Sequence, residues 1–195
     1  MATIIQLPKS TRNTGVVHRK KAQEPAICCI LMVRLPFAAS LFWRRLAVPG
    51  HYSLFNLHQV IQLAMGWDDS AAHQFMVGKI LYRTFANRPL RLDESKYDER
   101  QARLQSLLKQ MGFIFQYFYE AGNAWECAIE LQEVEELPPG APPKSALLLA
   151  GQGQFPDQEV ADVYALDAVL AARPTMAAIL TAVEIAKINE KLRQL

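Results

Sequence analysis

Reading from the N-terminus, apolar residues first gather at Ala26 to Leu35. There AICCILMVRL, rich in β-branched and apolar side chains and ended by Pro36, predicts a buried strand. Phe42 to Val48 predicts a second, shorter strand closed by the turn signal Pro49-Gly50. The period then changes. Leu54, Leu57, Ile61 and Met65, with Val60 and Ala64, repeat at the three-to-four residue spacing of one helix face. Ser53 precedes them as an N-cap, and Gly66 stands where a C-terminal glycine cap belongs.

His73 to Leu81 alternates as a strand does, and the polar stretch 86–97, with Pro89, predicts a loop. Asp98 to Met111 predicts a helix with Leu104, Leu107, Leu108 and Met111 on one side and Gly112 as its stop. Phe113 to Tyr119 and Trp125 to Val134 predict two strands joined through Ala121-Gly122-Asn123-Ala124 as a hairpin. LPPGAPPKS, residues 137–145, is a proline-rich spacer. Two alanine-rich helices follow, Gln158 to Ala172 and Thr175 to Arg193, with Pro174 at their junction. This order predicts an α+β fold, a mostly antiparallel sheet with helices packed on one face and an alanine-rich helical C-terminus. The expected layout is a flexible basic arm over 1–24, one domain over 25–172, and a C-terminal helical segment over 173–195 packed on it.

Composition supports a core. Of 195 residues 51% are hydrophobic and 21% charged, which excludes a disordered chain. The longest apolar run, Ala26 to Val33, is far shorter than the ~18 residues a membrane-spanning helix needs, so no membrane is expected. The N-terminal apolar stretch at Ile4-Ile5 and Leu7 is too short for a signal-peptide core. Three cysteines, two of them adjacent, make a poor disulfide framework, and together these features predict a cytoplasmic protein.

Charge adds an asymmetry. Residues 1–45 hold eight lysines and arginines against Glu24 alone, so the net +2 divides into +7 there and −5 in the remainder. Six glutamates between Glu120 and Glu136 face no lysine or arginine in that run. Such segregation fits a basic arm for nucleic acid or an acidic partner, and equally a solvated leader and a solvated strand edge.

Four segments carry candidate chemistry. Trp43-Arg44-Arg45 sets an aromatic beside two cations, a pairing that holds phosphate or stacks on a base. In Leu57 to Trp67, His58 and Gln62 lie four apart on one helix face, and His73 follows in the next strand. Two histidines without a cysteine or carboxylate at ligand spacing predict no metal, and no cofactor is expected. Tyr117, Tyr119 and Trp125 share one side of the predicted hairpin. Glu120 is a candidate general base and Cys127 a candidate nucleophile. Gly151-Gln152-Gly153 lacks the further residues of a dinucleotide fingerprint or a P-loop and reads as a loop entering a helix at Asp157.

Taken together, these segments resemble the plasmid pRiA4b ORF-3-like family. Its Trp-Arg-Arg strand stands at Trp43 to Arg45, its Leu-His-x-Val-Ile-Gln-x-Ala-Met-Gly-Trp helix at Leu57 to Trp67, and its His-x-Phe at His73 to Phe75. The likeness covers about residues 26 to 170. The later motifs depart from the pattern. Glu120, Ala121, Asn123 and Cys127 replace the family's Asp, Phe, Asp and His, while Gly122 and Trp125 are kept. Gly151, Gly153 and Pro156 stand, but Asp157, Gln158 and Glu159 replace Pro, Glu and Asp, and Ala161-Asp162 replace a glycine pair. The resemblance implies a domain carried on plasmids and other mobile elements, and no particular reaction.

The expected function is a non-catalytic binding or accessory protein of a plasmid or mobile element, with a protein or nucleic-acid partner. Its candidate surface comprises Trp43, Arg44, Arg45, His58, Gln62, Trp67, His73, Tyr117, Tyr119, Glu120 and Trp125. The alternative is a hydrolase- or transferase-type enzyme using His58, His73, Glu120 and Cys127, which requires those side chains to meet in one pocket.

Overall fold

Ile27–Arg34 forms strand β1, which leaves through a single 3-10 turn at Pro36–Ala38 into β2, Trp43–Pro49. The computed structural model describes residues 26–84, 97–108, 110–120, 125–138, 145–154 and 163–195. The N-terminal arm, the hairpin bend 121–124, most of the proline-rich spacer and the helix start at Asp157 lie outside the described residues. The remaining strands are β3 (His73–Val77), β4 (Ile80–Tyr82), β5 (Ile114–Tyr119), β6 (Trp125–Glu136) and β7 (Leu147–Gln152). They form one seven-stranded sheet in the order β4-β3-β5-β6-β1-β2-β7, antiparallel at every pairing. The fold is therefore α+β and mostly sheet.

Helix α1, Leu54–Met65, begins and ends as its sequence dictates. The Ser53 hydroxyl accepts from the Asn56 backbone N–H, and the Asn56 side chain accepts from the Ser53 backbone N–H. At the other end Gly66 adopts φ 82, a left-handed conformation that costs glycine nothing. The buried face of α1 places Leu57, Val60 and Ile61 in a single core with Leu31, Phe75 and Phe115. Burying each side chain of this size contributes roughly 1.5–3 kcal/mol.

The expected strand His73 to Leu81 is instead a hairpin. Gly78 takes φ 63 and folds the segment into β3 and β4. The expected helix Asp98 to Met111 is reduced to one turn, α2, Leu104–Leu107. Its backbone is drawn into other partners: Leu54 N–H donates to Ala102 O, Leu104 N–H to Tyr52 O and Gln105 N–H to Gly50 O. Asp98 and Glu99 are buried rather than solvated in a first helical turn.

At the C-terminus α3, Val163–Ala172, is followed by a 3-10 turn at Pro174–Ala177 and then by α4, Ala182–Leu192. The single helix expected over 175–193 is split because residues 178–180 bond to the end of β7. Gly153 N–H donates to Ala178 O and Leu180 N–H to Gly151 O. Helix α4 restarts at a capping box between Thr181 and Glu184. Strand β7 itself, continuing into Gly151 and Gln152, replaces the loop expected there. Among the described residues, no helix is long and apolar enough to cross a membrane.

Candidate functional site

The described structure gathers the polar candidates into two buried clusters rather than one surface. Arg44, His58, Gln62, Trp67, Tyr117, Tyr119 and Trp125 are all buried, Trp43, Arg45 and His73 are half-buried, and Glu120 is exposed.

The first cluster surrounds Arg44, on the inward side of β2. Its guanidinium donates to four backbone carbonyls: Nε to Ala64 O at 2.8 Å, Nη1 to Trp43 O at 2.9 Å and Gln152 O at 2.7 Å, and Nη2 to Gly153 O at 2.7 Å. Ala64 belongs to the last turn of α1, where a cation also complements the helix dipole. Burial lowers the Arg44 pKa to about 10, and the carboxylate of Glu184 opposes that shift, so the group remains charged at neutral pH. The neighbouring glycines are explained here. A Cβ at Gly151 would lie 2.8 Å from Arg44 Cδ, and Gly153 has φ 77 with room for no Cβ beside Phe42. Gly151 makes room for the arginine, and Gly153 for the ring of Phe42.

Around it, the outward cations are also engaged. Arg45 Nε donates to Gln132 Oε1 at 3.1 Å and its Nη2 lies 3.8 Å from Glu133, while Arg34 pairs with Glu130. The Trp43 indole donates to Gln152 Oε1 at 3.1 Å. The glutamates of β6 thus serve as counter-charges to the arginines of β1 and β2, a relation that depends on β6 pairing with β1.

The second cluster lies where α1, β3 and β5 meet. His58 and His73 stack face to face, with ring centroids 3.4 Å apart and planes 3° from parallel. His58 Nδ1 lies 2.8 Å from the Tyr117 hydroxyl, and Nε2 lies 2.8 Å from Asp69 Oδ1. Gln62 ties these partners together: its amide donates to the Tyr117 hydroxyl at 2.9 Å, and its Oε1 accepts from the Asp69 N–H at 3.0 Å. His73 Nε2 meets the carboxylate of Glu99 at 2.9 and 3.1 Å, and the Thr84 hydroxyl donates to the same carboxylate. Glu99 is fully buried, whereas Asp69 is 55% exposed at the rim.

The aromatic hairpin positions that rim. Tyr119 and Trp125 oppose each other on β5 and β6, and Trp67 stacks on Tyr119 at 5.0 Å. The Tyr119 hydroxyl accepts from the Ser70 N–H at 3.0 Å and donates to Asp68 Oδ1 at 3.4 Å. The 68–70 turn is thereby fixed, with Asp69 in the left-handed region at φ 56. Aspartate enters that region more readily than most residues.

Electrostatics separate the candidates. Burial, reinforced by the adjacent His73 and opposed by Asp69, holds His58 down to about 4, so it is neutral at physiological pH. Burial raises the Tyr117 hydroxyl and the Cys127 thiol well above their ordinary values. Cys127 is directly across the β5–β6 ladder from Tyr117 but completely buried, the reverse of the exposed, electropositive setting a thiolate nucleophile needs. Glu120 lies just past the end of β5, and the carboxylate that meets His73 is Glu99. His58, Asp69 and His73 each offer a metal-ligating atom, all within 4.8 Å of one another. Sequence reasoning found His58, Gln62, His73 and Tyr117 but missed Asp69, Glu99 and Thr84. An aspartate shortly after a helix-ending glycine was the only signal for Asp69, and Glu99 had none.

Comparison with known proteins supports the fold and adds no chemistry. The chain is 29% identical over 131 residues to the uncharacterised protein y4hQ of Sinorhizobium fredii, covering 67% of this chain and 64% of that protein. It thus spans less than two thirds of that relative's length. The crystal structure of MM3350, a protein of unknown function from Methanosarcina mazei Go1, superposes with a TM-score of 0.60 at 22% identity. The superposition covers 75% of this chain and 80% of that one, a likeness of fold. Residues 28–177, which include both buried clusters, match the plasmid pRiA4b ORF-3-like family, and the chain belongs to that family.

Proposed function

We propose that the protein is a non-catalytic binding protein, an accessory product of a plasmid or other mobile element working in the cytoplasm, and that its partner is a protein rather than a nucleic acid. The observation that carries this reading is the engagement of Arg34, Arg44 and Arg45. Arg44 is buried against four carbonyls, Arg34 pairs with Glu130, and Arg45 lies against Gln132 and Glu133. Nucleic-acid affinity rests largely on lysines and arginines that neutralise phosphate, and these three are already neutralised or inward. The sealed, high-pKa thiol of Cys127 speaks against the nucleophilic alternative.

In this reading the helices pack on one face of the sheet. The opposite face, with Trp43, Arg45, Leu147 and Leu149 directed outward, is the contact surface. Half-buried aromatics and leucines interleaved with paired charges have the composition of a protein interface.

The test is binding of the full chain to single- and double-stranded DNA and RNA at low salt, beside a chain lacking residues 1–24 and the Arg45→Ala variant. Weak binding, equal in all three proteins, is expected. Steeply salt-dependent binding that falls in either altered protein overturns the choice of partner. A photo-crosslinker at position 149 should then capture one discrete protein in cells, and a Leu147→Glu change in the same protein should abolish the capture.

A further inference from the structure

We propose that His58, Asp69 and His73 bind a first-row divalent transition-metal ion of the zinc type, with Tyr117 and Glu99 as the groups that position the two imidazoles. The inference is independent of the protein-partner reading.

The donors converge from three successive elements of the chain. His58 comes from α1, Asp69 from the turn that follows it and His73 from β3, and their ligating atoms lie within 4.8 Å of one another. Each imidazole has one nitrogen held by a buried partner. His58 Nδ1 meets the Tyr117 hydroxyl, which Gln62 holds, and His73 Nε2 meets Glu99, which Thr84 holds. The remaining nitrogens are His58 Nε2, directed at Asp69, and His73 Nδ1, which has no hydrogen bond among the described residues. One ring nitrogen tied to a carboxylate or hydroxyl and the other left for the ion is the usual arrangement around a metal-bound histidine.

Asp69 supplies the third donor and the route in. Its carboxylate is exposed, while its backbone N–H is fixed by the same Gln62 that holds Tyr117. Two imidazoles and one carboxylate suit zinc, iron(II), cobalt or nickel better than magnesium or calcium, which prefer all-oxygen cages. Three protein donors leave coordination positions for water or an incoming ligand.

The stack has a geometric consequence. A metal lies in the plane of each imidazole that binds it, and two planes 3.4 Å apart and parallel share no point. Binding therefore opens the stack into a wedge. It also requires a change of tautomer: the single proton of the neutral His58 ring, on Nε2 against Asp69 in the metal-free protein, is carried on Nδ1 instead, where it donates to the Tyr117 oxygen. In the metal-free protein that Nε2–H···Asp69 hydrogen bond takes the place of the ion.

The test uses the chelator-treated full chain, titrated with zinc by calorimetry and with cobalt by visible absorption, alongside ring-resonance NMR of its four histidines. The expected result is one ion per chain, a cobalt spectrum of nitrogen and oxygen ligation, and displacement of the His58 and His73 resonances while those of His18 and His51 stay in place. Asp69→Asn, an exposed change that leaves folding intact, and the positioning variant Glu99→Gln should each weaken zinc binding about 10- to 100-fold. Absence of stoichiometric binding overturns the proposal. So does binding that shifts His18 or His51 instead, or that is equally tight in Asp69→Asn.

Discussion

The Arg44 cluster and the His58 cluster are both buried, both polar and both built against α1, yet they are satisfied in opposite ways. Arg44 spends its donors on main-chain carbonyls of α1, β2 and β7, which cannot titrate. His58 is satisfied by Tyr117 and Asp69 and stacked on His73, side chains that can gain, lose or exchange a proton. The first arrangement is a joint in the scaffold, and the second is a place where chemistry can happen. Burial alone does not distinguish them; the kind of partner does.

The largest effect should come from breaking the joint. Arg44→Met removes the side-chain donor from four backbone carbonyls, those of Ala64 and Gly153 buried, and is expected to cost about 3–5 kcal/mol, read from urea unfolding at pH 7. The loss should be unchanged between pH 5 and pH 8, because Arg44 remains charged throughout that range.

The histidine cluster should show the contrary pH behaviour. In the folded protein His58 protonates near 4, whereas its ordinary value is 6.5, so the unfolded chain takes up the proton first as pH falls. Stability is complete above about pH 6.5 and falls as pH drops towards 4, by about 3 kcal/mol from this group in chelator-treated protein. Asp69, His73, Glu99 and Tyr117 are the titratable groups around His58. Unfolding of wild type and His58→Gln across this range measures it, and the variant should lose most of the slope.

A finer cut separates the members of the cluster. Tyr117→Phe removes one hydroxyl and leaves His58 Nδ1 and the Gln62 amide without their partner, for an expected loss of about 2 kcal/mol by the same unfolding measurement. The smallest effect belongs to the outward ion pairs. Arg45→Ala should change stability by at most ~1 kcal/mol, since both partners of its contact with Glu133 are solvent-exposed. A larger loss there would mean that the outward face takes part in the scaffold.

The two clusters were also unequally legible in the sequence. Helix α1 could be read almost to the residue, because Ser53, the apolar stripe and Gly66 all say the same thing. The Trp-Arg-Arg segment was legible as a strand, but its direction of charge was not. Strand alternation sends Arg44 and Arg45 to opposite faces without saying which face is the core. Asp98 and Glu99 stand at the start of the helix expected over Asp98 to Met111, and only the pairing of residues 102–105 with the 50–54 segment shows why they turn inward. Glu99 therefore could not be found by pattern. Its role depends on His73, 26 positions earlier, and on the hairpin that Gly78 creates between them.

The order of the sheet bears on how the chain acquires its structure. Its central strand, β6, pairs with β1, and Ile27 pairs with Glu136 at the far end of that ladder. During synthesis β1 and β2 can form their hairpin early, but the other edge of β1 must wait until roughly a hundred more residues have emerged. Closing so long a loop is slow, and an unpaired strand edge in the interval invites pairing with other chains. The nascent protein is thus most vulnerable to aggregation before β6 is made.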